Sequence, residues 1–424
     1  MLRTEISNLL PPYTDGHAHG WLPDGCGLSD DLTETAPADE CYIQVIERTT
    51  AEAFLEYCET LAAAGWQTTY GRETPAGLYR EMALGNERVY LYYVATEHTA
   101  RLIVNNEGVS LAAFAPPEPV PAPGGERLMQ FGLYYGDMVP GVTCDCGMLY
   151  ALLLSNGEYI IVDGGEKEQA TDEACAEVMA RLRAETGRED VTVALWLCTH
   201  PHNDHMDLFL KLIRVYKDTL HVKRTAFNFP SHSMLPLAPY IGFMRSRLKE
   251  YAPDAAHLKL HTGQVFSLCG VAIEVLLTQE DVLHPAAERP YNGTNETSVV
   301  VKFTAPAFSF TVLADIPEEN GDRLLLRCRR GEADCTFLQA AHHCINRIEN
   351  VYRHVQAEYV LIPEKTEVIL RHDMRGNYAL LAEIFGPERI YCAGDGTRVF
   401  WAENGSVQTR VYPVRGGAYD GSEL

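Results

Sequence analysis

Apolar and polar residues alternate in short runs over the first hundred positions, and this pattern predicts a small α+β unit. The period-two alternation and the β-branched and aromatic content of strands recur in Tyr42–Thr49, Leu78–Leu84, Arg88–Ala95 and Ala100–Val104. Thr50 is placed to cap a helix that runs to about Ala64, where Gly65 would end it. We therefore predict one helix packed on a small antiparallel sheet.

The later part of the chain alternates apolar strands with helical segments, which predicts an α/β fold. Strands are predicted at Leu149–Leu154, Tyr159–Val162, Val193–Cys198, Ser298–Thr304, Phe308–Leu313, Thr336–Gln339, Tyr359–Ile362, Ile390–Cys392, Arg398–Ala402 and Val407–Tyr412. Helices are predicted at Thr171–Ala184, from Asp207 through Ile213, and at Asn377–Phe385. Mixed sheets covered by helices fit this order better than a barrel does.

A proline-rich run separates the two parts. Residues 115–125 read Ala-Pro-Pro-Glu-Pro-Val-Pro-Ala-Pro-Gly-Gly, a composition typical of an extended, semi-rigid linker. A chain of 424 residues is also long for one core, so two or three domains are expected. We predict a small α+β domain of open role at 1–114, a linker at 115–126 and a larger domain at 127–424.

Composition and charge narrow the function classes. The formal net charge is −23, which opposes binding to extended duplex DNA, because such binding needs clustered lysine and arginine. No run reaches the roughly 18 uncharged apolar residues of a membrane span, and Met1–Glu5 lacks an apolar signal core. The 12 cysteines are scattered, as expected of reduced thiols. We expect a cytoplasmic protein without a membrane partner.

Two histidines follow an aspartate near the N-terminus, in Asp15-Gly16-His17-Ala18-His19. This spacing resembles the first metal motif of amidohydrolases. That family needs a (β/α)8 barrel with further ligands on later strands, and about 100 residues of the present pattern do not supply one. We therefore expect an ordinary loop that carries two histidines.

The densest cluster of candidate ligands follows the predicted strand Val193–Cys198. Residues 199–205 read Thr-His-Pro-His-Asn-Asp-His, so three imidazoles and one carboxylate lie within six positions. Imidazole suits Zn, Fe and Mn, and a carboxylate suits the harder of these ions. His200 and His202 alternate and are expected to face one metal ion, whereas Asp204 and His205 are expected to face a second. Four ligands from one loop do not complete two sites, so other strand ends must contribute.

This run resembles the signature of the metallo-β-lactamase superfamily, and the resemblance implies an αβ/βα sandwich. The resemblance covers roughly Leu128 to Pro413. Within the superfamily, the chain resembles the branch of DNA-uptake competence (ComEC-like) hydrolases and related phosphodiesterases. Residues 141–165 resemble the start of that branch's domain and end in Ile-Ile-Val-Asp-Gly-Gly. Asp163 in this string matches an aspartate that braces the metal loop from outside the ligand set.

Two further matches to the branch lie near the end of a hairpin. Asn295–Val300 resembles its asparagine-rich entry to a strand. Asp315 stands where the family has a metal-bridging aspartate, and a carboxylate at the end of an apolar strand needs a compensating partner in any case. The alternative for Asp315 is a helix N-cap before Pro317.

The remaining candidate ligands are histidines. The pair His342-His343 follows a predicted strand, and the resemblance implies that one of the two completes the second metal site, without indicating which. Cys344-Ile345 departs from the Gly-Ser usual at that place. His372 stands where the branch often has a histidine close to the site. His232 and His284 lie where many superfamily members have a third ligand for the first metal, but neither is in a clear motif, and a structural role is expected.

The resemblance implies a hydrolase with two divalent metal ions, with Zn expected first and Mn or Fe as alternatives. Asp204 or Asp315 would orient the attacking water, and His343, His342 or His372 would protonate the leaving group. The expected substrate is a small molecule or a short nucleotide-like phosphodiester or related ester. A non-catalytic binding protein on the same fold and a di-iron redox protein remain alternatives, and the oligomeric state stays open.

Overall fold

Seven strands that lie between residues 17 and 105 form an antiparallel sheet. The computed structural model describes residues 6, 9–25, 41–105, 108–116, 125–132, 147–166, 170–235, 238–328, 331–371 and 374–413. The strands of this first sheet are β1 (His17–Ala18), β2 (Leu22–Pro23), β3 (Cys41–Glu47), β4 (Gln67–Glu73), β5 (Gly77–Leu84), β6 (Glu87–Val94) and β7 (Thr99–Asn105). Their order is β1-β3-β7-β6-β5-β4, with β2 beside β3.

A helix packs on this sheet, as the sequence predicts. Helix α1 (Ala51–Ala63) begins after Thr50, whose side chain accepts a hydrogen bond from the Ala53 amide at 3.1 Å. Its face of Phe54, Tyr57 and Leu61 is buried against the sheet. The predicted α+β unit is thereby confirmed. Strand β4 was missed because its residues are mostly polar and exposed and lack the alternation of a half-buried strand.

Two further sheets make up the larger part of the molecule. The second sheet contains β8 (Arg127–Gln130), β9 (Leu149–Leu153), β10 (Tyr159–Asp163), β11 (Val191–Leu197), β12 (Leu220–Val222), β13 (Arg224–Phe227), β14 (Ala256–Lys259), β22 (Thr397–Glu403) and β23 (Ser406–Tyr412). The third contains β15 (Val265–Leu268), β16 (Val271–Leu277), β17 (Val300–Thr304), β18 (Ser309–Val312), β19 (Cys335–Gln339), β20 (Ala357–Ile362) and β21 (Ile390–Cys392). Strands β10, β11, β13 and β14 run parallel, as do β18 to β21.

Helices cover the outer face of both sheets. The remaining helices are α2 (Leu111–Phe114), α3 (Asp172–Thr186), α4 (Asp207–Val215), α5 (Ala238–Tyr251), α6 (Gln279–Val282), α7 (Glu318–Arg327), α8 (Glu349–His354), α9 (Thr366–Arg371) and α10 (Met374–Phe385). Helices α3, α4 and α5 share an apolar core with the second sheet, and α7, α8 and α10 share one with the third. None of the helices in the described ranges has the length and apolar character that crossing a bilayer requires.

A separate apolar core lies between the two sheets. Tyr150, Ile160 and Leu195 enter it from the second sheet, and Phe303 and Phe310 enter it from the third. Each such side chain contributes about 1.5–3 kcal/mol on burial. The layers therefore run helix, sheet, sheet, helix, and the predicted αβ/βα sandwich preceded by an α+β unit is confirmed.

The first sheet packs against the sandwich through its second face. Ile43 and Tyr92 of this sheet share an apolar cluster with Val282, Leu283 and Tyr291. Helix α2, which precedes the proline-rich run, packs Leu111 and Phe114 into the core between the two large sheets. Residues 117–124 lie outside the described ranges, so the boundaries at 114 and 126 stay a prediction.

The pattern of apolar and polar residues did not predict most of the helices and strands between residues 218 and 282. Strands β12 to β15 are only three or four residues long, and such runs are too short for a periodic pattern to show. Helices α5 to α9 were also missed; α6, α8 and α9 are six residues or shorter. The nine cysteines that the structure describes are all free thiols.

Candidate metal centre

The candidate ligands come from segments that follow parallel strands. The run His200–His205 follows β11, and Asp163 is the last residue of the neighbouring strand β10. In the third sheet, Asp315 follows β18 and His343 follows β19. Carboxyl ends of parallel strands form the edge where α/β folds place their sites. The sandwich brings the two edges together, so residues more than 100 positions apart become neighbours.

Two groups of ligand atoms share one carboxylate. His200, His202 and Asp315 form the first group, and Asp204, His205, Asp315 and His343 form the second; within each group the ligand atoms lie within 4.8 Å of one another. Asp315 Oδ2 lies 3.7 Å from His200 Nε2 and 3.3 Å from His205 Nε2. Two ligand sets that share an oxygen have the arrangement of a dinuclear site. The division of the run between two metal positions is the one that the sequence predicts.

Several ligand atoms are buried without a hydrogen-bond partner. Among the described residues, His205 Nε2, His343 Nε2 and both carboxylate oxygens of Asp315 have none. The Asp315 side chain is only 1 % exposed. Burying an uncompensated carboxylate is costly, and paired or metal-coordinated carboxylates are the rule. The orphaned atoms converge on one space and are the donors that a divalent cation accepts, so these residues fit a metal site.

Hydrogen bonds fix which ring nitrogens face the cluster. His205 Nδ1 lies 2.7 Å from Asp163 Oδ2, and His343 Nδ1 lies 2.8 Å from the Pro363 carbonyl oxygen. Each acceptor requires the proton on Nδ1. When either ring is neutral, its lone pair is therefore on Nε2, the nitrogen that faces Asp204 and Asp315, and this is the tautomer that a metal ligand needs.

Asp163 joins the two strands beneath the metal loop. Its carboxylate accepts hydrogen bonds from the Thr199 amide at 2.7 Å and from the Thr199 hydroxyl at 2.8 Å, in addition to its contact with His205. Asp163 also has a left-handed backbone, with φ 58°. Residues in this region cost about 1–3 kcal/mol unless the surroundings hold them, and such strain collects at functional sites. Asp163 contacts the ligand loop without belonging to either ligand group.

We expect Asp163→Asn to weaken metal binding by about 10- to 100-fold, because His205 loses the charged partner that orients its ring. The measurement is a competition titration against a chromophoric chelator. Asp172→Asn is the matched control, since the Asp172 carboxylate is 79 % exposed and contacts Lys211 on the surface. An affinity equal to that of the control would contradict the bracing role of Asp163.

Three amide side chains hold the backbone around Asp315 and His343. Gln339 Oε1 accepts hydrogen bonds from the amides of Leu313 and Ala314, at 2.9 and 2.6 Å. Asn346 donates to the Asp315 carbonyl at 3.2 Å, and Asn377 donates to the Cys344 carbonyl at 2.9 Å. The sequence reasoning missed all three. A buried glutamine at the end of an apolar strand was the available signal for Gln339.

The alternative role of Asp315 as a helix cap is wrong. Helix α7 has Pro317 at its N-cap position and no capping side chain. The Asp315 amide instead lies 3.3 Å from the Ser298 hydroxyl oxygen, and its carboxylate points into the cluster.

The turn after β19 is left-handed over three consecutive residues. The φ angles are 48° at His342, 52° at His343 and 72° at Cys344. Glycine adopts this region without a steric penalty, and an L-residue does not. Cys344 therefore occupies a position that favours glycine. The buried side chain of Cys344 packs into the apolar core between the third sheet and its helices, and this packing stabilises the turn.

Electrostatics divide the imidazoles into two classes. Burial lowers the pKa of His200 well below its ordinary value and also lowers that of His202, so both rings are in the neutral form that metal binding requires. Burial acts in the same direction on His205 and His343, but the carboxylates of Asp315 and Asp204 outweigh it. The pKa of His205 is held well above its ordinary value and that of His343 rises to about 10. The two carboxylates thus favour a positive charge at these rings, and a bound cation would supply that charge in their place.

The structure separates the His342-His343 pair. His343 belongs to the second ligand group, whereas His342 belongs to neither. His342 Nε2 lies 3.7 Å from Asp315 Oδ2 and 3.2 Å from the Asn295 amide nitrogen, and its side chain is 24 % exposed. His342 thus lies at the rim of the cluster. Of the two candidates between which the sequence does not choose, this geometry supports His343 as the ligand.

The other sequence candidates lie elsewhere. His232 and His284 are in neither ligand group, and His284 Nε2 lies 3.8 Å from Glu319, in keeping with the expected structural role. His372 lies outside the described residues. His17 and His19 lie at the edge of the first sheet, where His19 Nε2 is 3.3 Å from Glu47. That sheet is antiparallel, so an amidohydrolase barrel does not surround them.

Comparisons with known proteins return structural likeness only. No family model matches the chain, and no curated protein matches it. The metallo-β-lactamase fold protein YhfI from Bacillus subtilis aligns over 67 % of this chain and 100 % of its own, with 12 % identity and a TM-score of 0.39. Zn(2+)-bound PqqB from Methylobacterium extorquens aligns over 64 % of this chain and 98 % of its own, with 10 % identity and a TM-score of 0.38.

A third solved structure, Tm1679, is described as a metal-dependent hydrolase of the β-lactamase superfamily. It aligns over 63 % of this chain and 97 % of its own, with 11 % identity and a TM-score of 0.36. Likeness at this level carries no argument about function. A functional inference therefore rests on the layers and the ligand cluster of this chain. By those grounds the molecule is an αβ/βα sandwich with a candidate site for metal ions at the edge where its two sheets meet.

Proposed function

We propose that this protein is a metal-dependent hydrolase that uses an activated water at a dinuclear site, with a phosphodiester or related ester as substrate. The observation that carries the proposal is the position of Asp315. Its carboxylate is buried, lacks a hydrogen-bond partner among the described residues, and belongs to both ligand groups. A shared carboxylate between two imidazole-rich groups is the donor set of a two-metal hydrolytic site.

The residues of the chain have distinct tasks in this proposal. His200, His202 and Asp315 would hold one cation, and Asp204, His205 and His343 would hold the other together with Asp315. When bound, two such cations supply Lewis acidity that lowers the pKa of a water towards neutrality and stabilises the oxyanion of the attacked ester.

The carboxylates and the rim histidine complete the chemistry. Asp204 Oδ2 lies 3.1 Å from His343 Nε2 and 3.4 Å from His205 Nε2, so Asp204 and Asp315 are the proposed acceptors of the proton from the attacking water. His342, on the exposed side, is the proposed donor to the leaving group, because His343 would hold a cation through Nε2 and bonds to the Pro363 carbonyl through Nδ1. No serine or cysteine nucleophile is needed. The thiol of Cys198 is buried in the core beside α4, and burial raises its pKa well above the ordinary value.

The metal and the substrate class are proposed from the donor set and the sequence. Imidazole with carboxylate is suited to Zn, and Mn or Fe are alternatives. The phosphodiester follows from the resemblance to the competence branch, and the net charge of −23 favours a small or short nucleotide-like substrate over extended duplex DNA. Thioesters, lactones and amides are the other electrophiles open to the same site.

The test combines metal removal with a substrate panel. Protein purified without chelators is assayed on an aryl phosphodiester, an aryl acetate and a lactone, before and after treatment with a chelator. We expect phosphodiester hydrolysis that falls by at least about 100-fold on chelation, because oxyanion stabilisation is lost, and that returns with added Zn²⁺ or Mn²⁺. His202→Ala should show a similar loss. His221→Ala is the control, because His221 is exposed on β12.

Each of the other outcomes would favour a different function for this protein. A binding protein would be favoured if the protein contains metal at the site but hydrolyses none of the substrates. This holds whether or not His202→Ala removes the metal. Bound iron with a visible absorption band would favour a di-iron redox protein. Hydrolysis of the acetate or lactone alone would retain the hydrolase and remove the phosphodiester.

A further inference from the structure

The first sheet holds a segment that reaches the metal centre. This connecting segment, residues 279–299, begins with helix α6, and α6 packs directly against the turn Asn295–Thr297 near its far end. Val282, Leu283 and Tyr291 of the segment are buried in the apolar cluster shared with the first sheet. The segment is therefore anchored on the first sheet at one end and on the sandwich at the other.

The sandwich end of the connecting segment is bonded to every loop that carries a ligand. The Val299 amide donates to the Thr199 carbonyl at 2.9 Å, immediately before His200. The Ser298 hydroxyl oxygen lies 3.3 Å from the Asp315 amide. The Asn295 amide nitrogen lies 3.2 Å from His342 Nε2. A shift of residues 295–299 would move both ligand groups relative to each other.

An arginine of the first sheet binds the other end, where Arg323 and Arg327 of α7 also contact Asp281. Arg101, on β7, donates from Nε to the Glu280 carbonyl at 2.8 Å and from Nη2 to the Asp281 carbonyl at 3.2 Å. Its side chain is 3 % exposed. A short helix has free carbonyls at its C-terminal end, and the planar fork of arginine satisfies two of them in a fixed orientation. Tyr92 adds a hydrogen bond from its hydroxyl to Asp281 Oδ1 at 2.7 Å.

We propose that Arg101 is a positioning residue for the metal centre. It fixes α6, α6 fixes the turn at 295–297, and residues 295–299 fix the spacing of the loops that carry His200, Asp315 and His342. The N-terminal sheet thereby contributes to the geometry of a site to which it supplies no ligand. This inference rests on one part of the proposed function, namely that the cluster binds metal.

Cobalt substitution tests the inference without a substrate. Co²⁺ is titrated into metal-free full-length protein, and its visible absorption bands report coordination geometry while the titration reports affinity. We expect Arg101→Met to bind Co²⁺ about tenfold more weakly, at the lower end of the range for residues that support ligands, and with altered bands. Arg101→Lys should be intermediate, because lysine donates to one carbonyl without the fork.

Arg72→Met is the matched control. Arg72 also joins the first sheet to the sandwich, but it contacts Glu274 and the Gly263 carbonyl instead of α6. We expect it to lower unfolding stability and to leave the Co²⁺ affinity and bands unchanged. Co²⁺ binding by Arg101→Met that equals binding by Arg72→Met would overturn the inference and leave the proposed function standing.

A milder variant keeps the test independent of folding. Tyr92→Phe removes only the hydroxyl that bonds to Asp281, and we expect a smaller change of the Co²⁺ bands in the same direction. Unchanged bands in Tyr92→Phe would overturn the inference if Arg101→Met does not fold. Absence of Co²⁺ binding by the unsubstituted protein would overturn the proposed function together with the inference.

Discussion

Asp315→Asn is expected to abolish the binding of both metal ions and to reduce hydrolysis by at least about 10³-fold. Loss of a single oxyanion-stabilising group costs about 10²–10³-fold, and this change removes the carboxylate on which both stabilising cations depend. The reason lies in the shared position of Asp315, whose Oδ2 lies 3.7 Å from His200 Nε2 in one group and 3.3 Å from His205 Nε2 in the other. Other single ligand changes leave one group intact.

The measurement is metal content per chain by elemental analysis, with steady-state rates on the same preparations. Asp322→Asn serves as the control, because Asp322 lies on α7 in an exposed contact with Asn350. Thermal unfolding of both variants checks that the fold is retained. Two metal ions per chain in Asp315→Asn would show that the carboxylate does not bridge them.

Lys259→Met is expected to destabilise the fold by about 3–5 kcal/mol, since it leaves the partner carboxylate buried and unpaired. Lys259 Nζ lies 2.5 Å from Asp24 Oδ2, with the two side chains 0 % and 1 % exposed. Burial by itself lowers the pKa of Lys259, but the Asp24 carboxylate outweighs burial and raises that pKa above the ordinary value, so Lys259 is charged. Gln279 also donates to Asp24 Oδ1 at 2.6 Å, so the pair joins the N-terminal segment to the start of α6.

Urea denaturation measures this effect. Lys223→Met is the control, because Lys223 pairs with Glu158 with half of its side chain exposed, and a surface pair contributes only about 0–1 kcal/mol. The double variant Asp24→Asn with Lys259→Met should regain part of the loss, since no unpaired charge is then buried. A loss in Lys259→Met no larger than in Lys223→Met would contradict the buried pair.

The metal loop could be predicted from sequence because its ligands are local. Six consecutive positions contain His200, His202, Asp204 and His205, and the alternation after an apolar strand already divides them between two metal positions. Asp163 could be predicted only through the resemblance to a family, since it is a single aspartate at the end of a strand. For Asp315 the resemblance added a role to a carboxylate that already needed a compensating partner. In the structure Asp315 belongs to both candidate ligand groups, and Asp163 bonds to Thr199 and His205 of the ligand loop.

Other features depend on tertiary contacts that leave no local pattern. Nothing in the string His342-His343 indicates which ring turns inwards, because the choice follows from the left-handed turn and from the Pro363 carbonyl that accepts the proton of His343. Gln339 acts through the backbone of a neighbouring strand, and strand pairing is not visible in one segment. The contacts of Arg101 with α6 span about 180 positions of sequence.

Anomalous diffraction at the absorption edge of the bound metal tests the central claim most directly. Crystals of protein purified without chelators are predicted to show two peaks, one beside His200 and His202 and one beside Asp204, His205 and His343, with the Asp315 carboxylate between them. A map without a peak among these side chains, from protein that hydrolyses its substrate, would contradict the account.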